Sequence, residues 1–252
     1  MAQLSRFDML KLRLAERGSE TRVRLAGRCV LVTHPYWHLH SIREIFVDQA
    51  YRFESDNPAP RIIDCGANVG LSVLYFRLLY PSASIVAFEA DPVLFQLLRR
   101  NVCTIGSENI ELHEAALSDR DGRAVFRADG GVGGRLVRDS GGHGLVAVRT
   151  TRLSPFLDRK VDLLKVDIEG AEYGVLQECK GELGNVKNLV LEFHGTRGES
   201  QRLHELLALL SGAGFRYHIR EANPSPYPLA RRGRQELGPF DLQVLIYGWR
   251  SS

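Results

Sequence analysis

Five short stretches hold residue types that can bind or transform a ligand. Asp64-Cys-Gly-Ala-Asn-Val-Gly70 follows the apolar pair Ile62-Ile63 and places a carboxylate, an amide and two glycines within seven residues. Ser84-Ile-Val-Ala-Phe-Glu89 ends on a carboxylate 19 residues after Gly70. Lys165-Val-Asp-Ile-Glu-Gly170 contributes Lys165, Asp167 and Glu169, and Glu192-Phe-His194 adds an acid and an imidazole. Thr33-His-Pro-Tyr-Trp-His-Leu-His40 gathers three histidines, a tyrosine and a tryptophan in eight residues.

Gly66 and Gly70 lack a Cβ, so the backbone there can turn tightly and come close to a ligand. Asp64 stands where a strand ends, and Asn68 is placed to cap a helix beginning near Val69. Taken alone, the stretch also reads as a plain strand–turn–helix joint. It lacks the G-x-G-x-x-G that a pyrophosphate needs, and a carboxylate at Asp64 repels phosphate. A cationic ligand suits it better, and S-adenosylmethionine carries both an ammonium and a sulfonium. Glu89 strengthens this reading, because an acid about 20 residues past such a turn bonds ribose hydroxyls. Trp37 and His38 suit recognition of a sugar or similar acceptor, although aromatic packing beside the core explains that segment equally well.

The elements that must position these residues follow strand–helix alternation, the mark of a parallel sheet. A helix after Gly70 stops at Pro81, and Asp91-Pro92 opens the next one. Asn109 to Leu117 reads as a third strand. A hairpin, Ala124–Arg127 with Leu145–Arg149, then encloses the glycine-rich loop 129–144, a fair candidate for a flap over substrate. Val161 to Asp167 and Asn188 to His194 are the fourth and fifth strands. Parity puts Lys165 and Asp167 on one face of the fourth strand and, likewise, Glu192 and His194 on one face of the fifth, so Asp167, Glu169, Glu192 and His194 gather at one rim. Glu199 to Leu210 is an amphipathic helix, and strands at 215–220 and 242–247 complete the sheet. The expected fold is α/β: a mostly parallel seven-stranded sheet with helices on both faces. Residues 1–58 form an N-terminal helical and strand extension capping the core, and 59–252 form the catalytic domain. Leu4, Phe7, Leu10 and Leu14 fall at helical spacing, so a helix packed on the core is expected; a lid, a membrane-surface contact or a homo-oligomer arm are the alternatives.

Bulk properties bound the rest. The 252 residues are 44% hydrophobic with a net charge of +3, enough for a full core and too balanced to argue for nucleic acid on charge. Cys29, Cys65, Cys103 and Cys179 are scattered without a C-x-x-C pair, which fits reduced thiols in a cytoplasmic protein. No stretch reaches the length of a membrane span.

Ile-Ile-Asp-Cys-Gly-Ala-Asn-Val-Gly70, Ala-Phe-Glu-Ala-Asp-Pro92 and Leu-Leu-Lys-Val-Asp-Ile-Glu-Gly-Ala-Glu172, in this order, resemble the FkbM family of class I methyltransferases. The likeness runs from about Glu44 to His194, and the last motif is its most specific part. It implies a Rossmann-like fold and an S-adenosylmethionine-dependent O-methyltransferase acting on a hydroxyl of a sugar, glycan or polyketide. It also implies that Asp64, Gly66, Asn68 and Gly70 line the methionine and ribose end, that Glu89 holds the ribose, that Ala116 lies by adenine, and that Asp167 sits near the amino group and the transferred methyl. A Leu-Asp pair common in such proteins reads Leu153-Ser154 here.

His194 and Asp167 rank first as the base that takes the acceptor's proton, with Glu169 behind them; Glu192 is a substrate-side residue. No metal site is assigned from spacing, although the same rim offers a place for Mg²⁺ to polarise a diol. Two other readings remain open: an RNA or nucleic-acid methyltransferase, superficially hinted at by Asn223-Pro-Ser-Pro-Tyr227, and a non-catalytic cofactor-binding module.

Overall fold

A seven-stranded sheet with the order β12-β13-β11-β10-β3-β4-β5 organises the chain. Its strands are β3 (Arg61–Cys65), β4 (Ser84–Glu89), β5 (Ile110–Glu114), β10 (Val161–Val166), β11 (Val186–Thr196), β12 (Arg216–Glu221) and β13 (Phe240–Trp249). Pairings from β11 across to β5 are parallel, and β13 runs antiparallel to both β11 and β12. The structure is a computed structural model that describes residues 4–16, 18–128, 133–137, 143–197, 199–222 and 239–250. Asn223 to Tyr227 and most of the glycine-rich loop lie outside the described residues.

The chain builds β3, β4 and β5 outward in one direction, then returns to lay β10 and β11 on the other side of β3. The sheet order therefore reverses between β3 and β10, the place where open α/β sheets leave a crevice at the carboxyl ends of the strands. Strand parity splits the core in two. Ile62, Ile85, Leu163 and Val190 face α3 (Leu71–Leu79), α4 (Pro92–Ile105) and the N-terminal elements. Ile63, Val86, Leu164 and Leu189 face α5 (Glu172–Glu178) and α6 (Leu203–Gly212).

Several expectations shift. The third strand ends at Glu114, and Ala116–Leu117 (β6) joins a separate four-stranded sheet with β7 (Gly122–Arg127), β8 (Arg135–Val137) and β9 (Leu145–Thr151). Continuous apolar character hid this, because Ala115 still bonds Glu89 while the next residues pair with Thr150 and Thr151. Helix α3 begins at Leu71 with Gly70 at its cap position, so Asn68 does not cap it. Helix α6 starts at Leu203, later than the amphipathic pattern suggested.

The N-terminal part holds α1 (Arg6–Leu14), a hairpin of β1 (Thr21–Leu25) and β2 (Arg28–Val32), then α2 (Pro35–Ile42) and a π-helical turn, Arg43–Val47. Strand β1 was not legible among the basic residues of that region. Helix α1 packs on α2 and β1 through Leu12 and Asp8, while Phe7, Leu10 and Leu14 are 66%, 52% and 75% exposed. The periodic apolar stripe is thus not the buried face. Asp8 tolerates burial because the Ser5 hydroxyl donates to its carboxylate at 2.7 Å.

Asn101 of α4 ties this extension to the core. Its carboxamide accepts from the Leu31 amide at 2.8 Å and donates to the carbonyls of Leu31 at 2.9 Å and Val69 at 2.7 Å. Asn101→Ala would leave those buried backbone groups unpaired, at about 1–3 kcal/mol each before relaxation. Denaturant unfolding is expected to show that loss in full; a change under about 0.5 kcal/mol, the range of ordinary surface substitutions, would refute it. Among the described residues no helix is long and apolar enough to cross a membrane.

Candidate functional site

At the switch point, Asp64 of β3 and Lys165 of β10 stand opposite each other in register. Asp64 is 0% exposed and Lys165 3%. The Lys165 ammonium lies 3.2 Å from Asp64 and 3.6 Å from Asp167, and donates to the Gly66 carbonyl at 2.6 Å. Ser72 donates to the other Asp64 oxygen at 2.5 Å. Burial works against the Lys165 charge, but Asp64 and then Asp167 outweigh it and raise its pKa. Asp64 therefore stands behind the cavity wall as a neutralised partner, and the reading of it as a free anion in contact with the ligand is corrected. Gly66 has φ +86°, and a Cβ there would lie 1.8 Å from the Asp167 carbonyl oxygen, so no side chain fits. At Gly70 a Cβ would meet Leu98 at 2.7 Å, so this glycine serves close packing of α3 on α4.

Glu89 ends β4 with both oxygens occupied on one side: Oε2 accepts from the Asn68 amide at 2.7 Å and Oε1 from the Asp91 amide at 2.8 Å. Burial raises its pKa to about 7 despite those two donors. Each oxygen keeps a lone pair for a further donor, and Glu89 lines the cavity. Asn68, at φ +51°, uses its side-chain oxygen to accept from the Val69 amide at 2.8 Å and to meet His38 Nε2 at 3.1 Å. His38 Nδ1 lies 3.0 Å from both the amide and the carbonyl of His34. His38 is 1% exposed, and burial lowers its pKa. It braces the Asn68 turn from α2 while also lining the cavity.

The acidic rim assembles as parity required. Asp167, Glu169 and Glu192 line the same cavity. His194 sits behind them, its Nε2 3.7 Å from Glu169 and 3.6 Å from Glu192. Its Nδ1 lies 2.9 Å from Glu172, a residue that sequence reasoning passed over. Glu172 is 0% exposed and also accepts from the Gly170 amide at 2.9 Å. Its position in the first turn of α5 favours a carboxylate. The signal was present in Gly-Ala-Glu172, but not the cross-strand histidine that gives it a role. Burial opposes a charged His194, yet Glu172, then Glu169 and Asp167, hold its pKa up at about 10. His194 therefore stands behind the rim with Nδ1 committed to Glu172, and only Nε2 faces the carboxylates. Burial, with Asp167 adjacent, pushes the Glu169 and Glu192 carboxyls upward.

These parts face one cavity of about 750 Å³, within the range of small-molecule sites. Ala115 and Ala116 form a small-residue wall on one side, and Gly134 to Leu136 of the second sheet approach from above. At the mouth Trp37 is 42% exposed and meets Tyr36 edge-on at 5.2 Å. Glu44 and Tyr51, neither of them singled out in the sequence, close the wall beside Asp167. Ser154, in the place of the Leu-Asp acid, donates to Glu178 at 2.5 Å on the far side and has no part in the cavity.

Residues 64–217 match the family model described as the methyltransferase FkbM domain. The methyltransferase sdnD of Sordaria araneosa is 30% identical over 69% of this chain and 80% of its own length. The 31-O-demethyl-FK506 methyltransferase FkbM of Streptomyces tacrolimicus is 27% identical over 69% of this chain and 80% of its own. A crystal structure of methyltransferase FkbM from Methylobacillus flagellatus shares the fold, with a TM-score of 0.53 at 16% identity. It covers 85% of this chain, which spans about half (52%) of that larger one. With the matched region running from the end of β3 into β12, this chain belongs to the FkbM family of methyltransferases.

Proposed function

We propose that the protein transfers the methyl group of S-adenosylmethionine to a hydroxyl oxygen of a sugar, glycan or polyketide-type acceptor. The observation that carries this reading is a single cavity lined both by a ribose-type carboxylate, Glu89, and by the acidic rim of Asp167, Glu169 and Glu192. The donor's ribose hydroxyls bond Glu89, its adenine lies against Ala115 and Ala116, and its cationic methionine end faces Asp167. The acceptor enters past Trp37 and Tyr36, whose exposed rings suit the apolar face of a sugar. Oxygen as the acceptor atom is supported by the name of the FK506 relative.

In the reaction the acceptor oxygen attacks the methyl carbon in line, the carbon–sulfur electrons return to sulfur, and the hydroxyl proton passes to a rim carboxylate. The protein's main task is alignment and exclusion of water, worth up to ~7–11 kcal/mol. Proton removal adds roughly 10²–10⁴-fold.

Calorimetry with S-adenosylmethionine, S-adenosylhomocysteine and NAD on wild type and Glu89→Ala tests the reading. The methyl donor and its product should bind the wild type, NAD should not, and the variant should lose donor affinity. Tight binding of NAD alone would overturn it. A pH dependence follows, because only ionised Glu89 accepts both ribose hydroxyls. With its pKa at about 7, donor affinity should rise by about tenfold from pH 6 to 8. That slope should be absent in Glu89→Gln; an equal slope in the variant would take the ribose role from Glu89.

A further inference from the structure

We propose that Asp167, Glu192 and His194 bind a divalent metal ion at the acceptor end of the cavity. The proposal rests on the methyl-transfer reading of the same site and gives that site a second component. One donor atom from each residue lies within 4.8 Å of the others. His194 Nε2 is 3.6 Å from Glu192 and 3.7 Å from Glu169, too far for a hydrogen bond to either. Two donors sharing an ion at bonds of ~2.0–2.2 Å stand roughly 3–4 Å apart. The rim carboxylates are on the cavity wall, so small side-chain rotations close the remaining gap.

A second, independent feature lies behind the histidine. A metal-bound imidazole gives its other ring N–H to a carboxylate, which fixes the ring and its tautomer. Glu172 does this for His194 at 2.9 Å, and is itself held by the Gly170 amide. A histidine serving only as a base also uses such a partner, but it does not need carboxylates opposite its free nitrogen. Here there are two, and Asp167 stands beside them. The balance of charge points the same way. Asp167, Glu169 and Glu192 line one rim with Glu172 behind His194, and the one neighbouring ammonium described there, Lys165, is divided between Asp167 and buried Asp64.

An imidazole beside two carboxylates suits Zn²⁺, Mn²⁺, Fe²⁺ or Co²⁺; Mg²⁺ prefers oxygen ligands and several waters. The ion would polarise the acceptor hydroxyl, and Glu169, outside the ligand set, is left to take the proton.

The test is a titration of Co²⁺ and of Mg²⁺ into the chelator-treated full chain, read by visible absorption and calorimetry. S-adenosylhomocysteine affinity is measured on the same samples. Saturable Co²⁺ binding with ligand-field absorption is expected, with Mg²⁺ weaker. Glu192→Gln and His194→Gln should abolish it, and Glu172→Gln should weaken it by roughly 10–100-fold. Glu192 lies on the cavity wall, so its variant reports on the site even where His194→Gln fails to fold. No saturable Co²⁺ binding, or unchanged Co²⁺ affinity in Glu192→Gln, overturns the metal site. If S-adenosylhomocysteine still binds in that case, the methyl-transfer reading stands. Co²⁺ bound as predicted by a protein with no affinity for S-adenosylhomocysteine would uphold the metal and overturn the methyl transfer.

Discussion

Lys165→Met is expected to destabilise the fold by about 3–5 kcal/mol, because it strands a buried carboxylate without its counter-ion. Asp64 is 0% exposed, and its remaining partner is the Ser72 hydroxyl, while Lys165 also anchors the Gly66 carbonyl. Asp64→Asn combined with Lys165→Met should recover much of the loss, since the stranded charge is gone. Denaturant unfolding of the two variants separates charge from packing. Equal destabilisation in single and double variants would mean that the aliphatic stem, not the ion pair, matters. Donor binding should fall in both, because the Gly66 turn loses the bond that holds it to β10.

Glu169→Gln should lower methyl transfer by roughly 10²–10⁴-fold while leaving donor affinity unchanged. The residue stands at φ +57° just after β10, a left-handed conformation that presents its carboxylate to the cavity. Such a backbone costs about 1–3 kcal/mol and persists where the surroundings impose it. Glutamine keeps the shape and the hydrogen-bonding span but cannot take a proton. Transfer of labelled methyl from S-adenosylmethionine to a panel of sugar and polyketide hydroxyls measures it. Full turnover in this variant would move the proton to Asp167 or Glu192.

Local sequence was informative wherever one residue does one local job. Asp91-Pro92 opened a helix as expected, with the Asp91 carboxylate accepting from the Val93 amide at 2.8 Å. Parity along β10 and β11 put Lys165, Asp167 and Glu192 on the cavity side. It failed where neighbours from other elements decide. Phe7, Leu10 and Leu14 are periodic yet exposed, because the helix docks through Leu12. His38 reads equally well as an acceptor contact or as packing beside the core, and its contact with Asn68, 30 positions away, is not visible in local spacing.

The amino-acid sequence by itself determined the strand–helix rhythm, the glycine turn after β3 and the acids at the strand ends, since each depends on residues only a few positions apart. Only the tertiary structure decided what those acids do. Asp64 became a buried ion-pair partner, Glu89 an open hydrogen-bond acceptor and His194 the partner of Glu172, because charge in a low-dielectric interior is governed by groups brought from distant strands. Those neighbours are set by sheet order, and sheet order is not written in local spacing.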